Sequence, residues 1–168
     1  MNLDGAIDIL KAKCKNPSHG LPESVFLLLT GLTPMVNVDL LIKDDLGHTL
    51  LTWRDDIYYG RGWHIPGGII RFGETSKARI AAVAKMELGC KVAFETKPIA
   101  TYENISRQRR VRGHFISFLY RCKLVSSPLR RLKYQGEELK PGMYKFFSQA
   151  PENLLTVQNR YRKHIDSE

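Results

Sequence analysis

The chain has 168 residues, enough for one domain with a sizeable core. Its 43% hydrophobic and 26% charged content excludes a disordered or low-complexity protein. The net charge of +9 favours an anionic ligand, whether a nucleotide, a sugar nucleotide or nucleic acid, although a basic surface also serves solubility and charge alone does not choose. Cys14, Cys90 and Cys122 show neither CxxC nor metal-ligand spacing, as expected of reduced thiols in a cytoplasmic protein. Cys90 and Cys122 sit in apolar surroundings and are expected in the core. The N-terminus carries Asp4 and Asp8 and no apolar stretch, which argues against a signal peptide. The apolar run Val25–Leu29 is far too short to span a bilayer, so no membrane partner is expected.

Residues 4–13 have a helical pattern, with Ala6, Ile7, Ile9 and Leu10 on roughly one side, and 16–20 break it. Pro22-Glu23 opens a second helix that runs to about Leu29, with Gly31 near its end. MVNVDLLIK (35–43) reads as a partly buried strand, Asp45-Leu46-Gly47 as a turn, and TLLTWR (49–54) as the partner strand of a hairpin. Residues 55–62 read as a polar loop and 63–66 as a short extended piece. Residues 74–88 form the strongest predicted helix, free of internal Gly and Pro and stopped by Gly89. Residues 91–103 read as extended, bent near Pro98. SRQRRVRG (106–113) is a basic loop, HFISFLYRCKLV (114–125) a long strand, 126–142 a polar loop and 143–148 a last strand. Residues 151–164 read as mostly helical. This order fits an α/β/α sandwich around a mixed β-sheet.

The most informative stretch is GGIIRFGETSKARIAAVAKMELGC, Gly67 to Cys90. It resembles the Nudix box, whose pattern is Gly, five residues, Glu, seven residues, then Arg-Glu-apolar-any-Glu-Glu-any-Gly-apolar. Gly68, Glu74, Glu87, Gly89 and Cys90 fall in register. The Arg, the first Glu and the second Glu of the terminal run fall on Ala82, Val83 and Met86. The box is therefore degenerate: its frame is present while most of its carboxylates are absent. The resemblance implies an N-terminal helical extension over 1–20 and a Nudix domain over 21–168.

Within that superfamily the chain looks most like the GDP-mannose mannosyl hydrolases, through TPMVNVDLLI (33–42), LLTWRDDIYYGRGWHIPGGIIRFG (50–73) and MELGC (86–90). The resemblance implies Mg²⁺, with Mn²⁺ as the alternative, held by the Gly67 carbonyl and Glu87. Mg²⁺ keeps several waters, so one carboxylate plus substrate phosphates suffices. Glu74 matches the first Glu of the box; its usual Arg partner is Ala82 here, and Lys77 or Arg79 is the substitute to look for. As a bland alternative, Glu74 simply complements a helix N-terminus. With Val83 and Met86 in place of two acids, a multi-metal cluster for attack at phosphorus is not expected. One metal still neutralises a nucleoside diphosphate as leaving group while water attacks the anomeric carbon of the sugar. The implied state is a homodimer acting on a nucleotide sugar or nucleoside diphosphate, with nucleic acid not expected.

That family places a metal ligand and a His base before the last strand, where this chain has Lys140 and Pro141. Glu138, or its neighbour Glu137, is the replacement ligand or base if the loop is shifted, and His114 is a second candidate base that also reads as an ordinary strand residue. Ile69 replaces a phosphate-contacting Arg, and Arg71, two positions on, is the compensating cation. Arg54 matches an Arg that contacts the leaving diphosphate. Asp39 is a mid-strand carboxylate, costly unless paired, and reads as a sugar or base contact or as half of a buried ion pair. Arg109 and Arg110, with Arg107 and Arg112, have the bidentate geometry that suits phosphate and also read as solvated loop charge. Two rival functions remain open: an ordinary Nudix diphosphate hydrolase with a non-standard base, and an inactive Nudix domain that binds nucleotide or RNA.

Overall fold

The computed structural model describes residues 2–166. Met1, Ser167 and Glu168, which fall in the domain ranges read from the sequence, lie outside the described residues. Helices α1 (Leu3–Lys13) and α2 (Glu23–Thr30) precede eight strands. These are β1 (Met35–Ile42), β2 (Thr49–Asp56), β3 (Gly60–His64), β4 (Gly67–Ile69), β5 (Val92–Phe94), β6 (Ala100–Ile105), β7 (His114–Leu124) and β8 (Tyr144–Phe147). Helix α3 (Ser76–Val83) follows β4, and α4 (Arg162–Ile165) closes the chain after a 3-10 stretch, Thr156–Tyr161.

The strands form two sheets. One is mixed, in the order β4-β1-β7-β5 with β6 also on β7, and only β1 and β7 run parallel. The other is antiparallel, in the order β3-β2-β8. The side-chain period of two splits β1 between two cores. Val38, Leu40 and Ile42 pack with Ile80, Val83, Ala84 and Leu88 around α3. Leu41 packs on the other face with Trp53, Trp63, Tyr161 and Ile165 of the C-terminal segment. Helical segments thus cover both faces, giving the α/β/α architecture expected.

The expected β1–β2 hairpin does not form. Its turn chemistry is present, since the Asp44 carboxylate accepts the N–H groups of Leu46 and His48 at 3.0 and 2.8 Å. Beyond a single bridge between Lys43 and Thr49 the two strands diverge into different sheets. β1 occupies the interior of the mixed sheet, with β4 and β7 beside it: Val38, Leu40 and Ile42 face the α3 core, while the other face turns Asn37 and Asp39 to a cavity and Leu41 to the second core. Residues 55–62 are not an open loop either. β2 runs to Asp56 and turns directly into β3, because the Asp56 carboxylate accepts the N–H groups of Tyr58 and Tyr59 at 2.8 and 2.7 Å.

The long helix starts later than the sequence suggests. Thr75 caps it by accepting the Ala78 N–H at 3.1 Å, which leaves Glu74 in the preceding turn. Its last turn, Ala84–Leu88, is a wider π turn, ended by Gly89 in the left-handed conformation.

Candidate active site

A cavity of about 540 Å³ opens between β1, β4, the β2–β3 hairpin, the start of β7 and the C-terminal segment. Asp39, Arg54, Gly67 and Arg71 line it, as do Pro17, Leu21, Phe26 and Leu29 from the N-terminal segment. Of the segment read as an extension, 1–20, Pro17 and Gly20 reach the lining, while Leu21, Phe26 and Leu29 belong to the range read as the domain.

Gly67 faces Asp39 across the β1–β4 ladder. A Cβ at Gly67 would collide with the Asp39 carboxylate and come 2.8 Å from the Val38 carbonyl, so only glycine fits. The ladder bonds run through Val36–Ile70 and Leu40–Pro66. The Gly67 peptide groups consequently point out of the ladder, and its N–H donates to Glu87 Oε1 at 3.4 Å.

Glu87 stands on the π turn just behind Gly67, outside the cavity lining itself. Its other oxygen meets the Thr52 hydroxyl at 3.5 Å. Both contacts are long, and no cation lies in ion-pair distance among the described residues. Burial pushes the Glu87 carboxyl up to about 7, only partly offset by Arg54, and the nearby Asp39 charge pushes it further. A carboxylate withdrawn from water with no short donor fits a hard divalent cation. Among the described residues no group of three or more His, Cys, Asp or Glu gathers for a metal.

Asp39 is buried and well supplied with donors. Its Oδ2 accepts from the Tyr161 hydroxyl at 2.5 Å and its Oδ1 from Asn37 Nδ2 at 2.7 Å. Burial nevertheless lifts it to about 6, against the lowering effect of Tyr161, Ser117 and Asn37. His64, which the sequence reading passed over, is held neutral at about 3 by burial and by Arg54. Its Nδ1 is 2.8 Å from the Ile65 carbonyl and must donate there, so Nε2 accepts from the Thr52 hydroxyl at 3.0 Å. Thr52 is thereby drawn away from Glu87. The sequence left Tyr161 unmarked because its partner, Asp39, is 122 residues away; the partners of His64 are near in the chain, and its burial is what sets it apart.

Glu74 finds its Arg in Arg79, whose Nη2 lies 2.6 Å from Glu74 Oε2 while its Nε donates to the same oxygen at 2.8 Å. Arg79 is buried and itself lines the cavity. Burial raises the Glu74 carboxyl, but the Arg71 N–H and Arg79 together hold it below the usual carboxylate range. Val83, one of the two positions lacking an acid, is buried, and a Cβ at Gly68 would meet its Cγ2 at 2.8 Å. Met86, the other, is 69% exposed.

Three candidates lie elsewhere. His114 lies outside the cavity lining; Phe115 and Ser117 of the same strand line it, and strand parity turns His114 to the opposite face, with its Nε2 3.6 Å from Glu103. Glu138 is exposed in a loop anchored by Tyr134, Leu139 and Met143, and does not reach the cavity. Arg110 is exposed, whereas Arg109 lines a smaller annexe.

No protein-family model matches the chain. It is 27% identical over 154 residues to the low-salt glycan biosynthesis protein Agl8 of Haloferax volcanii, covering 89% of this chain and 94% of that one. A crystal structure of a UDP-X diphosphatase superposes with TM-score 0.58 at 20% identity, over 98% of this chain and 69% of that one. A MutT Nudix hydrolase from Burkholderia pseudomallei superposes with TM-score 0.60 at 18% identity, over 79% of this chain and 98% of that one. The fold is the Nudix fold. In this fold the loop from Gly67 lines the cavity, and the α3–π-turn helix places Glu87 behind it. Among the described residues no helix is long and apolar enough to cross a membrane.

Proposed function

We propose that this protein hydrolyses a nucleoside-diphosphate sugar, GDP-mannose-like, with Mg²⁺ or Mn²⁺, at the bond between sugar and phosphate. The observation that carries the reading is the withdrawn carboxylate of Glu87 beside Gly67, with Asp39 as its acidic neighbour and Arg54 as its basic one. Glu87 and the Gly67 carbonyl would hold the ion, which would supply positive charge to neutralise the leaving diphosphate. Arg54 and Arg71 bind phosphate oxygens and orient the leaving group. Asp39 faces the sugar. A carboxylate offers about four acceptor sites; Tyr161, Asn37 and Ser117 occupy three, which leaves one for the attacking water. Water oxygen bonds to the anomeric carbon, the bond from that carbon to the phosphate oxygen breaks, and Asp39 takes the proton. A proton acceptor titrating near 6 suits work close to neutrality.

Val83 and Met86 support this chemistry over attack at phosphorus, because the carboxylates of a multi-metal cluster have no side chains to come from. The relative named for glycan biosynthesis is consistent with a sugar substrate. The test is turnover of a nucleotide-sugar panel with Mg²⁺ in ¹⁸O water. Label in the free sugar supports the proposal. Label in phosphate makes the protein an ordinary diphosphate hydrolase, and absence of turnover with retained nucleotide binding makes it a binding domain.

A further inference from the structure

The loop at 106–113 is built, not merely solvated. Arg112 adopts φ 53°, a conformation rare for a residue with a side chain. Three contacts hold it there. The Thr30 hydroxyl accepts its N–H at 3.1 Å, the Tyr59 hydroxyl donates to its carbonyl at 3.4 Å, and Gly31 lets the loop approach α2 closely. A Cβ at Gly31 would lie 3.0 Å from the Arg110 carbonyl. The result aims the Arg112 guanidinium into the rings of Phe26, Tyr58 and Tyr59, at 5.5, 4.7 and 5.4 Å. Its Nε is buried and meets no acceptor among the described residues.

Arg109 and Arg54 converge on the same Tyr59 ring, at 4.5 and 5.6 Å. A second cavity of about 270 Å³, lined by Arg109, Arg112, Arg160, Asn104 and Ser106, adjoins the main one as an annexe and shares Tyr59, Asn104, Arg112 and Arg160 with its lining. Arg160 is fixed by the Glu103 carbonyl and Asn104 Oδ1, at 3.1 and 2.7 Å. No carboxylate lines the annexe. Gathering three guanidinium groups without an acid, at the expense of backbone strain, is unfavourable until an anion fills the space. On the proposed function, the pyrophosphate would already be met by Arg54, Arg71 and an ion held at Glu87.

We propose that the Arg109–Arg112–Arg160 annexe is a second oxyanion subsite, which takes a phosphate, sulfate or carboxylate group of the ligand other than its pyrophosphate. The proposal rests on reading the main cavity as a nucleotide-sugar site. The extra anion has two sources, an acidic sugar or a phosphate on the ribose.

The test is calorimetric titration of the full chain with two matched pairs. The first is a nucleoside-diphosphate uronic acid against its neutral hexose counterpart; the second is a nucleoside diphosphate with and without a ribose phosphate. The expected result is a preference of about tenfold or more for the more acidic member of one pair, as hydrogen bonds to a charged group provide; the pair that shows it identifies the source. The preference should fall to near unity in Arg109→Gln/Arg112→Asn, because Asn tolerates the left-handed backbone. Arg109→Gln alone, at an exposed residue, should lower it part-way and guards against loss of the double variant to misfolding. No preference in either pair, or a preference unchanged in the variants, overturns the proposal. A second readout separates it from the functional reading: the ¹⁵N resonance of Arg112 Nε–H during titration with inorganic sulfate. If nucleoside diphosphates fail to bind at all, the functional reading fails, while a sulfate-induced shift of that resonance still supports the subsite. An unmoved resonance counts against it.

Discussion

Replacing Glu87 by Gln tests the proposed ion site without activity. In the metal-free protein the Glu87 carboxyl is raised from 4.5 to about 7. A carboxyl whose folded value is raised contributes stability that is complete below its unfolded value and is lost as pH rises through the folded one. Metal-free protein should therefore lose stability between about pH 4.5 and 7, as the withdrawn carboxylate is forced to ionise. At about 1.4 kcal/mol per pKa unit, and with a discount for water in the adjoining cavity, the loss is on the order of 2 kcal/mol. Gln cannot ionise and keeps the shape, so Glu87→Gln should melt above the wild type at pH 8.5 and level with it at pH 5. The gap should be about 4–8 °C for a chain of this size. Asp39 titrates in both proteins, which is why the difference between them, and not either curve alone, is read. Mg²⁺ should stabilise the wild type at pH 8.5, close the gap, and do little for the variant. Parallel melting curves across pH, or equal Mg²⁺ stabilisation of both proteins, would refute the argument that this carboxylate is held for a cation.

Gly67→Ala should destabilise by about 1–3 kcal/mol through overpacking against Asp39 and Val38, measured by denaturant melts; a neutral result would mean the loop yields. Glu74→Ala should cost roughly 3–5 kcal/mol, because it leaves Arg79 buried without its partner, and Glu74→Gln less. Since Glu74 is held below its usual range, the stabilisation it gives wild type should disappear as pH falls through that lowered value, which acid titration checks. Met86→Glu, at an exposed residue, should fold within about 0.5 kcal/mol of wild type, whereas Val83→Glu should cost several times that by burying an acid against Gly68. The double variant should still cleave nucleoside diphosphates slowly, because phosphorus attack also needs supporting ligands beyond this helix; a large rate gain would show otherwise.

Local chemistry made much of this protein legible from sequence. The apolar periods of 35–42 and 114–124, the Pro22 opening of α2, Gly89 as a helix stop and the Gly67-Gly68 frame all report steric rules that act within a few residues. The resemblance to the Nudix box singled out Glu87 and raised the question of which Arg would answer Glu74. Tertiary structure decided what depends on neighbours far along the chain. β1 leaves β2 for a place between β4 and β7, where one face is covered by α3 and the other is shared between the second core and the cavity. His114 and Phe115 are adjacent in sequence, yet the strand turns only the second toward the cavity. Asp39 is tolerable because Tyr161, more than a hundred residues away, donates to it. The basic loop read as one cluster of charge; only its docking on Thr30 and Gly31 sends Arg112 inward and leaves Arg110 in solvent. Sequence fixes what a side chain can do. Burial and partners, which are three-dimensional sums, fix whether it is asked to.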